Sequence, residues 1–82
     1  MPSVLLHPDV EKRLQQLPDD IEARIRKALA TAGERPEREL KPLTGRPEYS
    51  LRIGDRRALV IRDRDADELL VQEIDTRDTV YD

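Results

Sequence analysis

The chain of 82 residues contains no cysteine, no tryptophan and no phenylalanine, and it has only one histidine, one methionine and two tyrosines. The absence of cysteine excludes a disulfide framework, a thiolate metal site and a cysteine nucleophile. With His7 as the single histidine, a histidine-rich metal site is also excluded. No basic segment leads into an apolar run at the N-terminus, and no stretch approaches membrane-spanning length. We therefore expect a soluble cytoplasmic protein with no membrane partner.

The apolar residues that remain are aliphatic, and they determine what kind of core is possible. Aromatic residues make up 2% of the chain and charged residues 40%. High charge with low hydrophobicity is also typical of disordered chains, but here the apolar residues follow helix and strand periods. We therefore expect one folded domain over residues 1–82, near the lower size limit for a chain without disulfides or metal.

Charge is distributed unevenly along the chain, although its net value is −3. Residues 1–34 carry five Lys/Arg against six Asp/Glu, residues 35–62 eight against four, and residues 63–82 two against eight. Because the local field decides whether a surface holds phosphate, the middle segment is the candidate RNA-facing surface. The twelve arginines, three lysines and ten aspartates fit either a GC-rich genome or a salt-adapted cell.

Local patterns predict the element order β-α-α-β-β-β. A short strand at residues 3–6 precedes helices at 8–16 and from 19 to about 31, with His7 at the first helix start and Gly33 as the second helix stop. Prolines predict loop over residues 34–47, and strands follow at 49–53, 58–61 and 68–74. We therefore expect a two-layer α+β fold, in which a helical hairpin packs on an antiparallel sheet that the first strand can join at one edge.

The most informative segment is residues 48–61, which has the pattern of two strands joined by a tight turn. Tyr49, Leu51 and Ile53 alternate with polar residues, and Gly54-Asp55 supplies the turn. Arginines leave both strands of this hairpin. Guanidinium groups stay charged and bind phosphate oxygens in a forked geometry. The hairpin is therefore predicted to bind a phosphodiester.

Several strings along nearly the whole chain point to a known family. They are His7-Pro8, Leu14-Gln15-Gln16-Leu17-Pro18, Leu40-Lys41-Pro42-Leu43-Thr44-Gly45, Tyr49-Ser50-Leu51-Arg52-Ile53-Gly54-Asp55-Arg56-Arg57, Arg77 and Val80-Tyr81. On these residues the chain resembles RelE/ParE-superfamily toxins of type II toxin–antitoxin modules, and the RelE branch most of all. The resemblance implies a small sheet crossed by a helical hairpin. It also implies a cognate antitoxin protein as partner, with which a toxin–antitoxin hetero-oligomer can form.

The resemblance further implies a ribosome-dependent mRNA endonuclease (an mRNA interferase) that inhibits translation, with the ribosome and mRNA as partners and no metal or other cofactor. A ribose 2′-OH would attack the adjacent phosphate and leave a cyclic phosphate and a 5′-hydroxyl. Arginine carries protons poorly, because its pKa exceeds about 12. It is well suited to stabilise the charge that grows on the phosphate oxygens in the transition state.

By the same resemblance, four residues are the candidates for catalysis. Arg57 would bind the scissile phosphate, Arg77 would be a second clamp, and Arg52 matches a basic residue on the preceding strand. Tyr81 would stack on a base or move a proton, provided that neighbouring arginines lower its pKa from about 10. Two residues of the preceding segment are candidates for contacts with the RNA backbone, Lys41 and Arg46.

Other functions stay open at this point. Where some RelE toxins carry two lysines on the second strand, this chain has Ser50 and Arg52, so no strand lysine is available as the general base. Whether the chain is an enzyme, a metal-independent endoribonuclease, is therefore open. The alternatives are a ParE-like inhibitor of DNA gyrase and a catalytically inactive homologue that only binds its antitoxin.

The arginines also have structural interpretations. Arg57 could form an ion pair with Glu48 or Glu73 instead of holding a phosphate. Arg77 is flanked by Asp75 and Asp78, which offer surface ion pairs of small energy.

Overall fold

The computed structural model describes residues 2–75. Within this range the chain forms five strands and three helices. In chain order they are β1 Ser3–Leu6, α1 Pro8–Gln15, α2 Asp19–Glu34, α3 Pro36–Glu39, β2 Leu40–Pro42, β3 Tyr49–Ile53, β4 Arg56–Asp63 and β5 Glu68–Ile74. None of the helices in residues 2–75 has the length and apolar character needed to cross a bilayer.

The strands form a single five-stranded sheet in the order β1-β5-β4-β3-β2. Neighbours from β2 to β5 pair antiparallel, whereas β1 lies parallel to β5 at one edge. Helices α1 and α2 pack on one face of this sheet. The predicted two-layer α+β class is confirmed, and the sheet is mixed because β1 runs parallel to its neighbour.

The core lies between the helical hairpin and one face of the sheet. Val10 and Leu14 of α1 and Ile25 and Leu29 of α2 are buried there. The strands contribute every second residue to the same core, since successive side chains of a strand point to opposite faces. The buried strand residues are Leu40, Leu51, Ile53, Ala58, Val60, Leu69, Val71 and Ile74.

The segment predicted as loop contains two short elements, α3 and β2. Pro36 begins α3, and a proline at the first helical position loses no helical hydrogen bond. Its side chain is buried. Leu40 then pairs with Leu51, and Pro42 lies on β2, the edge strand next to β3. An edge strand accommodates proline because its missing N–H faces away from the ladder. Pro36 therefore begins one short element, and Pro42 ends the other.

Gly33 does not stop the second helix, because α2 continues to Glu34. The residue is buried, and a Cβ built on it would lie 2.7 Å from Cγ2 of Val4. The glycine therefore allows α2 to cross β1 closely. The prediction of a helix stop at this position was wrong for a steric reason that only the packing shows.

A forked ion pair connects the two long helices. The guanidinium of Arg26 donates to Glu11 at 2.7 and 3.2 Å, and its Nε donates to Glu22 at 2.9 Å. These carboxylates raise the pKa of Arg26 further above its ordinary value. In return, the hydrogen bond from Arg26 lowers the pKa of Glu11. This contact joins α1 to α2 at the partly exposed side of the hairpin.

Replacing Gly33 with alanine tests the close approach of α2 to β1. Helix propensity alone favours alanine by about 1 kcal/mol, but a methyl group forced against the stiff Val4 side chain costs about 1–3 kcal/mol. We expect Gly33→Ala to lower the free energy of unfolding in urea. In a Val4→Ala background, the same change should become neutral or stabilising. A gain in stability in the unmodified background would contradict the packing described here.

Acid should weaken the contact between the two helices. Because the pKa of Glu11 in the folded protein lies below its ordinary value of 4.5, its stabilising contribution is present above that pH. The contribution is lost as the pH falls through the lowered value. We expect Glu11→Gln to reduce the loss of unfolding free energy between about pH 6 and pH 3. An unchanged acid dependence in urea titrations would contradict this role.

Candidate functional site

The β3–β4 hairpin holds the predicted site residues on a tight turn. Gly54 has a φ of +62°, which an L side chain rarely adopts. Glycine at the first position of a two-residue loop is typical of a type II′ turn, whose twist matches that of the flanking strands. The turn fixes the register, so that Ile53 pairs with Arg56 and Arg52 pairs with Arg57.

Arg52 and Arg57 are therefore direct cross-strand neighbours. Both side chains are exposed and lie on the sheet face opposite the helical hairpin, called here the open face. Directly opposite residues have Cβ atoms about 4.5–5.5 Å apart, and like charges at this spacing repel. The two arginines predicted from separate strands are thus brought together on one surface.

No carboxylate within residues 2–75 forms an ion pair with either arginine of this pair. Nε of Arg52 donates to the carbonyl oxygen of Gly54 at 3.3 Å, and Arg57 makes no ion pair in this part of the chain. Glu48, one of the expected partners of Arg57, binds Arg46 instead. The other, Glu73, forms no ion pair with Arg57 within this range. The pair is therefore poised for an external anion.

Lys41 lies on the same face as the arginine pair. It is exposed and pairs with Ser50 across the β2–β3 ladder. Ser50 precedes Arg52 by two residues, so Lys41 is the diagonal neighbour of Arg52, within reach of a long side chain. The structure thus places three predicted site residues together, Lys41, Arg52 and Arg57.

Arg46 differs from these three residues because it forms an ion pair with Glu48. Its Nε donates to Glu48 at 3.1 Å, and this bond lowers the pKa of the Glu48 carboxyl. The carboxylate offsets much of the charge that Arg46 would offer to a nucleic acid. The remaining two predicted site residues, Arg77 and Tyr81, lie outside the described residues.

Two surface depressions adjoin Arg57, and their charges distinguish them. The larger, about 550 Å³, is lined by Arg13 and Arg57 but also by Glu73 and Asp75, so its charges balance. The smaller, about 240 Å³, lies over the turn and has three arginines against Asp55. An anion is therefore favoured in the smaller depression, despite its lesser volume.

Arg13 and Arg56 also line this region, although sequence reasoning did not select them. Arg56 is half-buried and lines the smaller depression. Its position beside Arg57 was visible in the sequence. Arg13 lies near the end of α1, and only the packing of that helix against β5 brings it to the sheet.

His7 has the structural role that the sequence predicts. Its Nδ1 accepts a hydrogen bond of 3.1 Å from the backbone N–H of Asp9, at the start of α1. No group of three or more His, Asp or Glu side chains in residues 2–75 is placed to hold a metal ion.

Comparison with solved structures identifies the fold. The structure superposes on the RelBE2 toxin–antitoxin complex of Mycobacterium tuberculosis with a TM-score of 0.80 and 25% identity, over 93% of this chain and 91% of that chain. For the isolated E. coli RelE toxin the TM-score is 0.79 at 16% identity, over 98% and 88%. For the archaeal RelE–RelB complex of Pyrococcus horikoshii OT3 it is 0.75 at 21%, over 89% and 91%.

Comparison by sequence adds no closer relative. No family model matches the chain, and no curated protein matches it. The likeness is therefore one of three-dimensional structure over nearly the full length of the compared chains. The chain has the RelE-like toxin fold, as its sequence strings predict.

Proposed function

We propose that this chain is the toxin of a type II toxin–antitoxin module and cleaves mRNA on the ribosome without a metal ion. The observation that carries the proposal is the exposed Arg52–Arg57 pair, which has no carboxylate partner in residues 2–75. The RelE-like fold supports it, because by the resemblance of the sequence the pair lies on the strands that carry the family's basic residues. An anionic substrate would relieve the repulsion between the two guanidinium groups.

The arrangement suits stabilisation of a phosphorane. In the proposed reaction the ribose 2′-oxygen forms a bond to phosphorus, the bond to the 5′-oxygen breaks, and the 2′,3′-cyclic phosphate remains. Negative charge grows on the non-bridging oxygens in between. Arg57 on one strand and Arg52 on the other can donate to different oxygens of one phosphate. Neither arginine transfers the protons. By the resemblance, Tyr81 would either move a proton or stack on a base.

An antitoxin is proposed as the protein partner. Two of the three compared structures are toxin–antitoxin complexes. The open face also carries apolar side chains in register across three strands, since Leu5 pairs with Leu70 and Leu70 with Ile61. Leu5 is 43% exposed. A partner that buries this row and extends along β4 to Arg57 would cover the proposed site.

Substitution of Arg57 tests the proposed reaction. We expect Arg57→Gln to reduce cleavage of translated mRNA by roughly 100- to 1,000-fold, the usual loss when one charge-stabilising donor is removed. Arg52→Gln should act in the same direction. Cleavage would be measured by primer extension in a reconstituted translation reaction, with circular dichroism as the check on folding.

Arg64→Gln is the matched control, because it removes the same charge from the turn at the other end of β4. It should leave cleavage unchanged. Cleavage that survives Arg57→Gln would overturn the assignment of the site. If the unmodified chain leaves mRNA intact but blocks DNA supercoiling, the gyrase alternative holds. If it does neither and still binds the antitoxin, the chain is an inactive homologue.

A further inference from the structure

A second basic groove continues from the arginine pair to the helical side of the sheet. It measures about 300 Å³ and is bounded by Arg24 and Lys27 of α2 and by Arg52 of β3. Arg52 also lines the depression over the turn, together with Arg57. The two depressions thus meet at Arg52, so that a chain of negative charges can pass from one to the other.

The cations of this groove face solvent without carboxylate partners in residues 2–75. Arg24 and Lys27 are exposed and lie one helical turn apart, where like charges repel. Neither forms an ion pair in this part of the chain. Arg26, between them in sequence, is held by Glu11 and Glu22 on another side of the helix. The basic residues of α2 are therefore divided between a structural contact and an open groove.

The residues that line the groove have a net positive charge, although the whole chain has a net charge of −3. Three cations line it against the single carboxylate of Glu39, and its floor is formed by Ala28 and the buried Leu51. An apolar floor between cationic walls fits a polyanion with flat or apolar parts between its charges. A single-stranded RNA has this chemistry, with phosphates at regular intervals and sugars and bases between them.

We propose that Arg24 and Lys27 bind the backbone of the substrate RNA strand beyond the phosphate held by Arg52 and Arg57. This inference rests on the proposed function and extends it, since it gives the path of the strand from the open face around the β3 end to α2. Arg24 and Lys27 are positioning residues. They lie on a helix and touch no reacting atom, so they hold the strand in place and do not stabilise the transition state.

The double variant Arg24→Gln/Lys27→Gln tests the path of the strand. The probe is a fluorescein-labelled single-stranded RNA with 2′-O-methyl groups, which cannot be cut, and anisotropy reports its affinity at several salt concentrations. Each lost phosphate contact lowers the slope of log K against log salt by about 0.7 for single strands. We expect the slope to fall by about 1.4 and the affinity at low salt to fall roughly tenfold.

The matched control is Lys12→Gln/Arg64→Gln, which removes one lysine and one arginine outside the two depressions. It should leave the affinity and the salt slope unchanged. On translated mRNA, Arg24→Gln/Lys27→Gln should raise KM and leave kcat as it is, whereas Arg57→Gln lowers kcat. Glutamine keeps helix propensity high, and thermal melting checks the fold of each variant.

The outcomes separate the two proposals. If the unmodified chain cleaves mRNA and the groove variant matches the control in slope and KM, the RNA path is wrong while the proposed function stands. If the groove variant instead loses affinity for the antitoxin and keeps its affinity for RNA, the groove is a protein contact and the inference fails. If the unmodified chain neither binds the RNA probe nor cleaves mRNA, the proposed function fails first.

Discussion

The proposed site depends on holding two positive charges side by side on adjacent strands. A like-charge pair directly across a ladder is unfavourable by roughly 0.2–1 kcal/mol, and Arg52 and Arg57 form such a pair with no carboxylate between them in residues 2–75. The other face of the same strands offsets this cost, since Leu51, Ala58 and Val60 are almost completely buried. Each strand of the hairpin thus stabilises the fold on one face and carries the proposed site on the other.

This division of faces makes the register of the hairpin critical. A slip of one residue would turn the arginines into the core and the apolar residues into solvent. The type II′ turn at Gly54 fixes the register at one side of β4. On the other side, β5 carries one extra residue at Gln72, and the N–H of Asp75 then donates to the carbonyl of Arg57 at 2.9 Å. The turn on one side and this hydrogen bond on the other therefore set the position of Arg57, which suits a group that must be placed accurately.

Much of the fold could be predicted from the sequence, because strand alternation and helix spacing are local signals. The hairpin with its two arginines is such a case. What the sequence did not indicate depends on contacts between distant segments. Gly33 was interpreted as a helix stop because its contact with Val4 is invisible in sequence. The approach of α2 to Arg52 likewise arises only when the elements pack.

The most direct measurement compares the thermal unfolding of the unmodified chain and of Arg57→Gln in sodium chloride and in sodium phosphate of equal ionic strength. A ligand that binds only the folded state raises the unfolding temperature as its concentration rises above its dissociation constant. Phosphate stabilises any folded chain to some extent because it is excluded from protein surfaces. We predict that replacing chloride with phosphate stabilises the unmodified chain more than it stabilises Arg57→Gln. In chloride, Arg57→Gln should be at least as stable as the unmodified chain, because the repulsion is gone. Equal stabilisation of both proteins by phosphate would contradict an anion site at the arginine pair.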